Sequence, residues 1–171
     1  MIFLNIGSNL NSKNGGRIYN LSKSLDLISL EKIKIKKISK VYETPSYPNQ
    51  RNPKFLNLCI EIETKFLPDE LIKKFNLIEK KLNRTRGLKN EPRTCDIDLI
   101  DYNNKIINSK NITLPHPRAH LRNFVLFPLK EICPNWIHPV LNKNIDFLIK
   151  KLSLKLRNEI TTFKERVIFQ E

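Results

Sequence analysis

Residues 91–100 read Glu91-Pro92-Arg93-Thr94-Cys95-Asp96-Ile97-Asp98-Leu99-Ile100. Side chains alternate along a strand, so Cys95, Ile97 and Leu99 fall on one face and Asp96 and Asp98 on the other. A rise of about 3.3 Å per residue puts same-face neighbours roughly 7 Å apart at their Cα atoms. Carboxylates on that spacing can converge on divalent cations held about 3.5–4 Å apart. Arg93 and Thr94 come just before them, and the combination suits magnesium-assisted chemistry on a phosphate ester. An edge strand with two aspartates facing solvent has the same pattern, so these residues alone leave both readings open.

Outward from this strand, periodicity assigns the flanking elements. Ile2 to Ile6 is a buried strand ended by Gly7-Ser8-Asn9, and Ile18, Leu21, Leu25 and Ile28 stand at helical spacing. Glu31 to Thr44 reads as one long strand, with a bulge where the alternation slips. Thr44 to Gln50 is a loop. Phe55 to Phe66 alternates, with Leu56, Leu58, Ile60 and Ile62 on one side and Asn57, Cys59, Glu61 and Glu63 on the other. Leu67-Pro68-Asp69-Glu70 starts a helix that runs to Leu82. A basic loop, Asn83 to Glu91, then leads back to the aspartate strand. The order β-α-β-β-α-β predicts an α+β, ferredoxin-like fold: an antiparallel sheet with helices on one face, plus C-terminal additions. Those additions include a short strand near Ile106 and Ile107 and helical pieces at Phe127 to Ile132 and Ile145 to Leu154. The tail from Ser153 to Glu171 has no clear assignment. The 171 residues are expected to form a single domain.

Composition narrows the class. Hydrophobic residues make up 40% and charged residues 28%, enough for a core and unlike a disordered chain. No apolar run is long enough to span a bilayer, and the N-terminus reads as a core strand rather than a signal peptide, so a cytoplasmic location is the expectation. Cys59, Cys95 and Cys133 stand far apart, which argues against a disulfide framework or a zinc site. Cys95 shares a face with Ile97 and Leu99 and reads as a small buried hydrophobe. The net charge of +14 is carried mainly by lysine, in a chain also rich in Asn and Ile. Compositional drift explains that pattern as well as function does. Arginine is more telling because its guanidinium forks onto phosphate, and Arg84, Arg86, Arg93, Arg118 and Arg122 all flank the aspartate pair. Leu114-Pro115-His116-Pro117-Arg118 adds a proline-stiffened loop suited to a phosphate-binding rim. His116 and His120 are four apart, but Pro117 between them spoils a helical zinc pair, and His138 reads as structural. The RNP aromatic signature of RNA-binding domains on this topology is missing. The extra acidic ligands of a two-metal nuclease are missing as well.

Taken in order, the motifs closely resemble those of the 6-hydroxymethyl-7,8-dihydropterin pyrophosphokinase family. They are Ile6-Gly7-Ser8-Asn9-Leu10, Val41-Tyr42-Glu43-Thr44-Pro45, Phe55-Leu56-Asn57, Ile78-Glu79, Arg84-Thr85-Arg86, Pro92 to Leu99, Pro115-His116-Pro117-Arg118, Arg122 to Leu126 and Pro128-Leu129. The resemblance covers about residues 2–152. It implies transfer of pyrophosphate from ATP to the hydroxymethyl of the pterin, giving AMP and the pterin diphosphate for folate biosynthesis. It further implies two Mg²⁺ held by Asp96 and Asp98, with Arg84, Arg86 and Arg93 at the catalytic centre. Glu79, Arg93, His116, Arg118 and Arg122 match nucleotide-binding positions. Thr44, Pro45, Phe55, Asn57 and Phe124 match pterin-binding positions, the two rings as a sandwich and Asn57 as a reader of the pterin edge. The implied partners are ATP and the pterin, with no nucleic acid and no membrane, and the chain is expected to be a monomer. Asn90 and Glu91 depart from the family pattern. Many members have a tryptophan and a glycine there, and a carboxylate beside the phosphate site is expected to soften loop closure.

Overall fold

The computed structural model describes residues 1–85 and 91–169. Arg86 and Asn90 lie outside the described residues. The elements run β1 (Ile2–Ser8), α1 (Arg17–Leu30), β2 (Lys34–Ile38), β3 (Tyr42–Thr44), β4 (Phe55–Glu63), α2 (Pro68–Lys81), β5 (Asp96–Tyr102), β6 (Ile107–Asn108), β7 (Thr113–Leu114), α3 (Asn123–Ile132), α4 (Ile145–Lys151), α5 (Leu154–Asn158) and β8 (Thr161–Thr162). Among the described residues the main sheet is ordered β5-β1-β4-β3-β8, with β2 also on β4. The pairs β1–β4, β1–β5, β2–β4 and β3–β4 are all antiparallel. With β2 and β3 counted as one interrupted strand, this is the expected β-α-β-β-α-β arrangement.

The expected long strand from Glu31 to Thr44 is instead two strands. A bulge falls between Ile35 and Lys37, where the alternation slips. Beyond Ile38, the Ser39 hydroxyl accepts the Cys59 N–H at 2.9 Å, a donor that a continuing ladder carbonyl would otherwise take. The helix expected over Phe127–Ile132 begins at Asn123, so Pro128 lies inside it and Phe124 in its first turn. The helix expected over Ile145–Leu154 divides in two. Leu152 is extended, and the Ser153 hydroxyl accepts the Leu156 N–H and caps the second piece. The unassigned tail supplies α5 and β8, and its Phe163, Val167 and Phe169 pack against the core.

Both sheet faces are covered, and strand alternation decides with what. Ile2, Leu4 and Ile6 of β1, Leu56, Leu58, Ile60 and Ile62 of β4, and Ile97 and Leu99 of β5 pack with α1 and α2. Cys95 joins that core, fully buried. The opposite face is divided. Phe3, Cys59 and Ile100 are covered by Val125, Leu126 and Leu129 of α3 and by α4. Its other half carries Asn5, Gly7, Phe55, Asn57, Asp96 and Asp98, which line an open cavity. One sheet face is thus apolar under α3 and polar beside it, and the boundary is where the site forms.

Candidate functional site

The strand register assembles the site. Gly7 of β1 pairs with Asn57 on one side and with Asp96 on the other, while Asn5 pairs with Cys59 and Asp98. Paired residues share a sheet face, so Asn57, Asp96 and Asp98 emerge together. Thr44 pairs with Phe55 and brings the next strand into the same wall. The resulting cavity, of about 430 Å³, is lined by Thr44, Pro45, Phe55, Asn57, Arg93, Asp96, Asp98, Arg118, Arg122 and Phe124. Glu79, Arg84 and His116, also expected at the site, do not line it.

Gly7 is required by a close approach. A Cβ there would meet Asn57 Oδ1 at 2.8 Å and Phe55 Cδ1 at 3.5 Å. The bare backbone lets the Asn57 amide lie flat on the sheet, where its Nδ2 donates to Thr44 Oγ1 at 3.3 Å. Phe55 and Phe124 carry guanidiniums over their rings, Arg93 at 5.4 Å and Arg122 at 5.3 Å. Both rings are half-buried and keep surface on the cavity.

The carboxylates are gripped by arginines. Arg84 Nη1 lies 2.6 Å from Asp96 Oδ1 and 2.5 Å from Glu79 Oε1. Arg93 Nη1 lies 3.3 Å from Asp96 Oδ2, and Arg122 Nη1 lies 3.1 Å from Asp98 Oδ2. Glu79 is buried in α2, and its Oε1 accepts the Ile97 N–H at 2.8 Å. It therefore ties α2 to the aspartate strand and holds Arg84 at Asp96. His116 Nε2 stands 3.9 Å from Asp98 Oδ2 and 3.4 Å from Arg122 Nη1. Burial and the Arg122 and Arg118 charges push His116 down to about 4, so its ring is neutral at pH 7.

Burial, followed by the neighbouring Asp96 charge, pushes the Asp98 carboxyl up to about 6. At Asp98, burial and the Asp96 charge thus outweigh the opposing Arg122 and Arg93 charges. The two carboxylates offer only oxygen donors, and among the described residues no cluster of three or more His, Cys, Asp or Glu forms a complete metal cage. That donor set fits Mg²⁺, which takes one or two carboxylates and leaves the remaining positions to phosphate oxygens and water. A second hollow, of about 270 Å³, shares Asp98 with the cavity. Its walls include Ile72, Leu99, Ile112, Thr113, Leu114 and His116.

Two asparagines escaped the reading of the sequence as site residues. Asn9 Oδ1 accepts the Arg93 N–H at 2.7 Å, and its Nδ2 donates to Ser46 Oγ and to the Pro53 carbonyl, each at 3.1 Å. It staples the Arg93 segment to the loop behind Thr44 and Pro45. Asn5 lines the cavity floor, and its buried Oδ1 has no hydrogen-bond partner among the described residues. A polar residue inside an otherwise apolar first strand was its signal.

A family model described as 7,8-dihydro-6-hydroxymethylpterin-pyrophosphokinase matches residues 3–134. The chain belongs to this pyrophosphokinase family. A protein of Aquifex aeolicus named 2-amino-4-hydroxy-6-hydroxymethyldihydropteridine pyrophosphokinase is 37% identical over 142 residues, covering 83% of this chain and 86% of that one. The folic acid synthesis protein fol1 of Pneumocystis carinii is 34% identical over 151 residues, 88% of this chain, but this chain spans only 20% of its length. A crystal structure of Plasmodium falciparum HPPK-DHPS with pteroate superposes with a TM-score of 0.70 at 15% identity, covering 94% of this chain and 47% of that one. That likeness supports the ferredoxin-like fold.

Proposed function

We propose that this pyrophosphokinase-family chain transfers the β,γ-pyrophosphoryl group of ATP to the hydroxymethyl group of 6-hydroxymethyl-7,8-dihydropterin and releases AMP. The observation that carries the proposal is the continuity of one cavity. Its floor holds the aspartate pair with Arg93 and Arg122, and its wall holds Phe55, Asn57 and Phe124. A triphosphate and a flat polar heterocycle would meet there.

In this reading the pterin lies between the Phe55 and Phe124 rings, and each stacked pair contributes about 0.5–1.5 kcal/mol beyond area burial. The Asn57 amide and the backbone near Thr44 and Pro45 read its donor and acceptor edge. The adenine occupies the second hollow, against Ile72, Leu99 and Leu114, so the triphosphate crosses Asp98 toward the cavity. Asp96 and Asp98 would hold two Mg²⁺, which when bound neutralise phosphate charge and favour in-line displacement at phosphorus. Arg84, Arg93 and Arg122 exchange their carboxylate contacts for phosphate oxygens as nucleotide and cations arrive, and Arg118 adds charge from the cavity lining; Arg86, outside the described residues, takes the catalytic role that the family resemblance implies. Neutral His116 can donate a hydrogen bond to a phosphate oxygen without bringing a proton that must be shed. The hydroxymethyl oxygen bonds to the β-phosphorus and the bridge to the α-phosphate breaks. AMP departs with the electron pair and the hydroxyl proton is released.

The reading takes the chain as a monomer working as a single catalytic domain over residues 1–171. No helix among the described residues is long and apolar enough to cross a membrane. We take the cytoplasm, where ATP and Mg²⁺ are abundant, as the place of action. The test is to mix protein, ATP, Mg²⁺ and the pterin and to separate the nucleotides. AMP that forms only when the pterin is present supports the proposal, and ADP would overturn it.

A further inference from the structure

The tail beyond the family match does more than trail from the core. Its Leu156 and Glu159 line the cavity. The Leu156 carbonyl accepts the Asn123 Nδ2 donor at 2.6 Å, which fixes α5 against the first turn of α3, next to Phe124. Glu159 follows α5 directly, its N–H donating to the Lys155 carbonyl. The chain then joins the sheet, with Thr161 opposite Glu43 and Thr162 opposite Tyr42. That pairing anchors the chain just after Glu159 to β3, and Glu159 lines the same cavity as Thr44 and Pro45, the residues at the end of β3.

The charge at this point is unusual for the molecule. Of the three carboxylates that line the cavity, Asp96 and Asp98 are engaged by arginines. Glu159 is half-buried, and no cation pairs with it among the described residues, in a chain with 31 Lys and Arg against 17 Asp and Glu. A carboxylate in a pocket beside two aromatic rings, without a protein donor, is matched to a ligand that brings donors.

We propose that Glu159 is a specificity-determining residue of the acceptor pocket, accepting a hydrogen bond from the exocyclic 2-amino group of the bound heterocycle, beside the contacts made to the rest of that edge by Asn57 and the Thr44–Pro45 backbone. This rests on the proposed acceptor being a pterin. The 2-amino group of such a ring carries two N–H donors, so one is left for a carboxylate when Asn57 and the Thr44–Pro45 backbone take the rest of the edge. Glu159 would select rings with the 2-amino group over rings that lack it.

The experiment measures equilibrium binding to the full chain, by ligand fluorescence, with Mg²⁺ and a non-hydrolysable ATP analogue present. Two ligands are compared: 6-hydroxymethylpterin and its 2-deamino analogue. Glu159→Ala is expected to weaken pterin binding about tenfold and to reduce discrimination between the two ligands by the same factor, with ATP-analogue affinity unchanged within twofold. Glu159→Gln, which keeps the length and one acceptor, is expected to fall between wild type and Glu159→Ala. A merely structural role would weaken both ligands equally. Equal weakening, or unchanged binding, would overturn the inference while leaving the transferase reading intact. A wild-type chain that binds neither ligand would overturn both.

Discussion

Replacing Gly7 with alanine would put a methyl group 2.8 Å from Asn57 Oδ1 and 3.5 Å from Phe55 Cδ1. A carbon and an oxygen that are not bonded need roughly half an ångström more, so the amide must swing away. No described glycine has a positive φ, so alanine itself is not strained at position 7 and the backbone need not move. The amide has little room to comply, because its Nδ2 is tied to Thr44 Oγ1. Losing that hydrogen bond costs about 0.5–1.5 kcal/mol, and an off-rotamer side chain costs about as much again. The total of about 1–3 kcal/mol corresponds to roughly 5- to 150-fold weaker acceptor binding. The free protein bears part of this cost, and alanine offsets about 0.4–1 kcal/mol of it by lowering the entropy of the unfolded chain, so Tm should fall by several degrees at most. The assay is paired: pterin affinity by fluorescence and ATP-analogue affinity by calorimetry, with Tm as the control for folding. Weaker pterin binding in a folded variant with constant nucleotide affinity is the expected result. Unchanged pterin affinity in a folded Gly7→Ala variant would refute the argument that Asn57 reads the acceptor from the floor above Gly7.

Asp98→Ala should abolish transfer while Tm stays constant or rises, since the removed carboxylate is one that burial and Asp96 already disfavour; retained turnover would remove Asp98 from the metal site. The same crowding gives a pH dependence with a definite sign. Asp98 holds its proton to about 6 in the folded chain, against about 4 for an ordinary aspartate, so without metal its ionisation lowers stability as pH rises from about 4 through about 6. Mg²⁺ needs the ionised form, so Mg²⁺-nucleotide affinity by calorimetry should fall as pH drops below about 6 and level off above it; an affinity flat from pH 5 to 8 would contradict this. Trp136 Nε1 donates to the buried Asp101 carboxylate at 2.8 Å, so Trp136→Phe should cost about 1–3 kcal/mol and lower Tm by roughly 2–4 °C for each kcal/mol in a domain of this size, and an unchanged Tm would show the bond to be dispensable. Cys59 and Cys95 are fully buried and burial raises both thiols, so Ellman's reagent should leave both unlabelled in the native protein and label all three cysteines in guanidinium; rapid native reaction of three thiols would contradict the packing.

The parts of the fold that were legible are those with a period. The nine residues of β4 alternate in sequence, and β5 alternates from Asp96 to Leu99 before its register slips opposite Phe3 and Leu4, and that alternation places Asn57 with the polar set and both aspartates on one face. Phe55 shares that face by parity. Neither periodicity nor composition could join the two strands. Gly7 does so, because β1 lies between them, and its meaning appears only through pairs about 50 and 89 positions away in sequence. Asn9 was hidden for the same reason, since its bond to Arg93 spans 84 residues. The start of α3 was missed because Pro128 reads as a helix beginning, whereas the chain tolerates it mid-helix with Asn123 already at the first turn. Glu159 sits between a five-residue helix and a two-residue strand. Elements that short carry no periodic signal, and tertiary contacts alone order them. The family motifs identified most of the side chains lining the cavity, but not the Asn5 on its floor or the tail wall around Leu156 and Glu159.

The central claim is that one cavity brings the triphosphate and the pterin together so that two phosphoryl groups move as a unit. The direct measurement follows the label: ATP carrying ³²P at the β position in one reaction and at the γ position in another, each with the pterin and Mg²⁺. Recovery of both labels in the pterin product, with AMP unlabelled in both reactions, is the result this account predicts. Transfer of the γ label alone, leaving the β label in ADP, would contradict it.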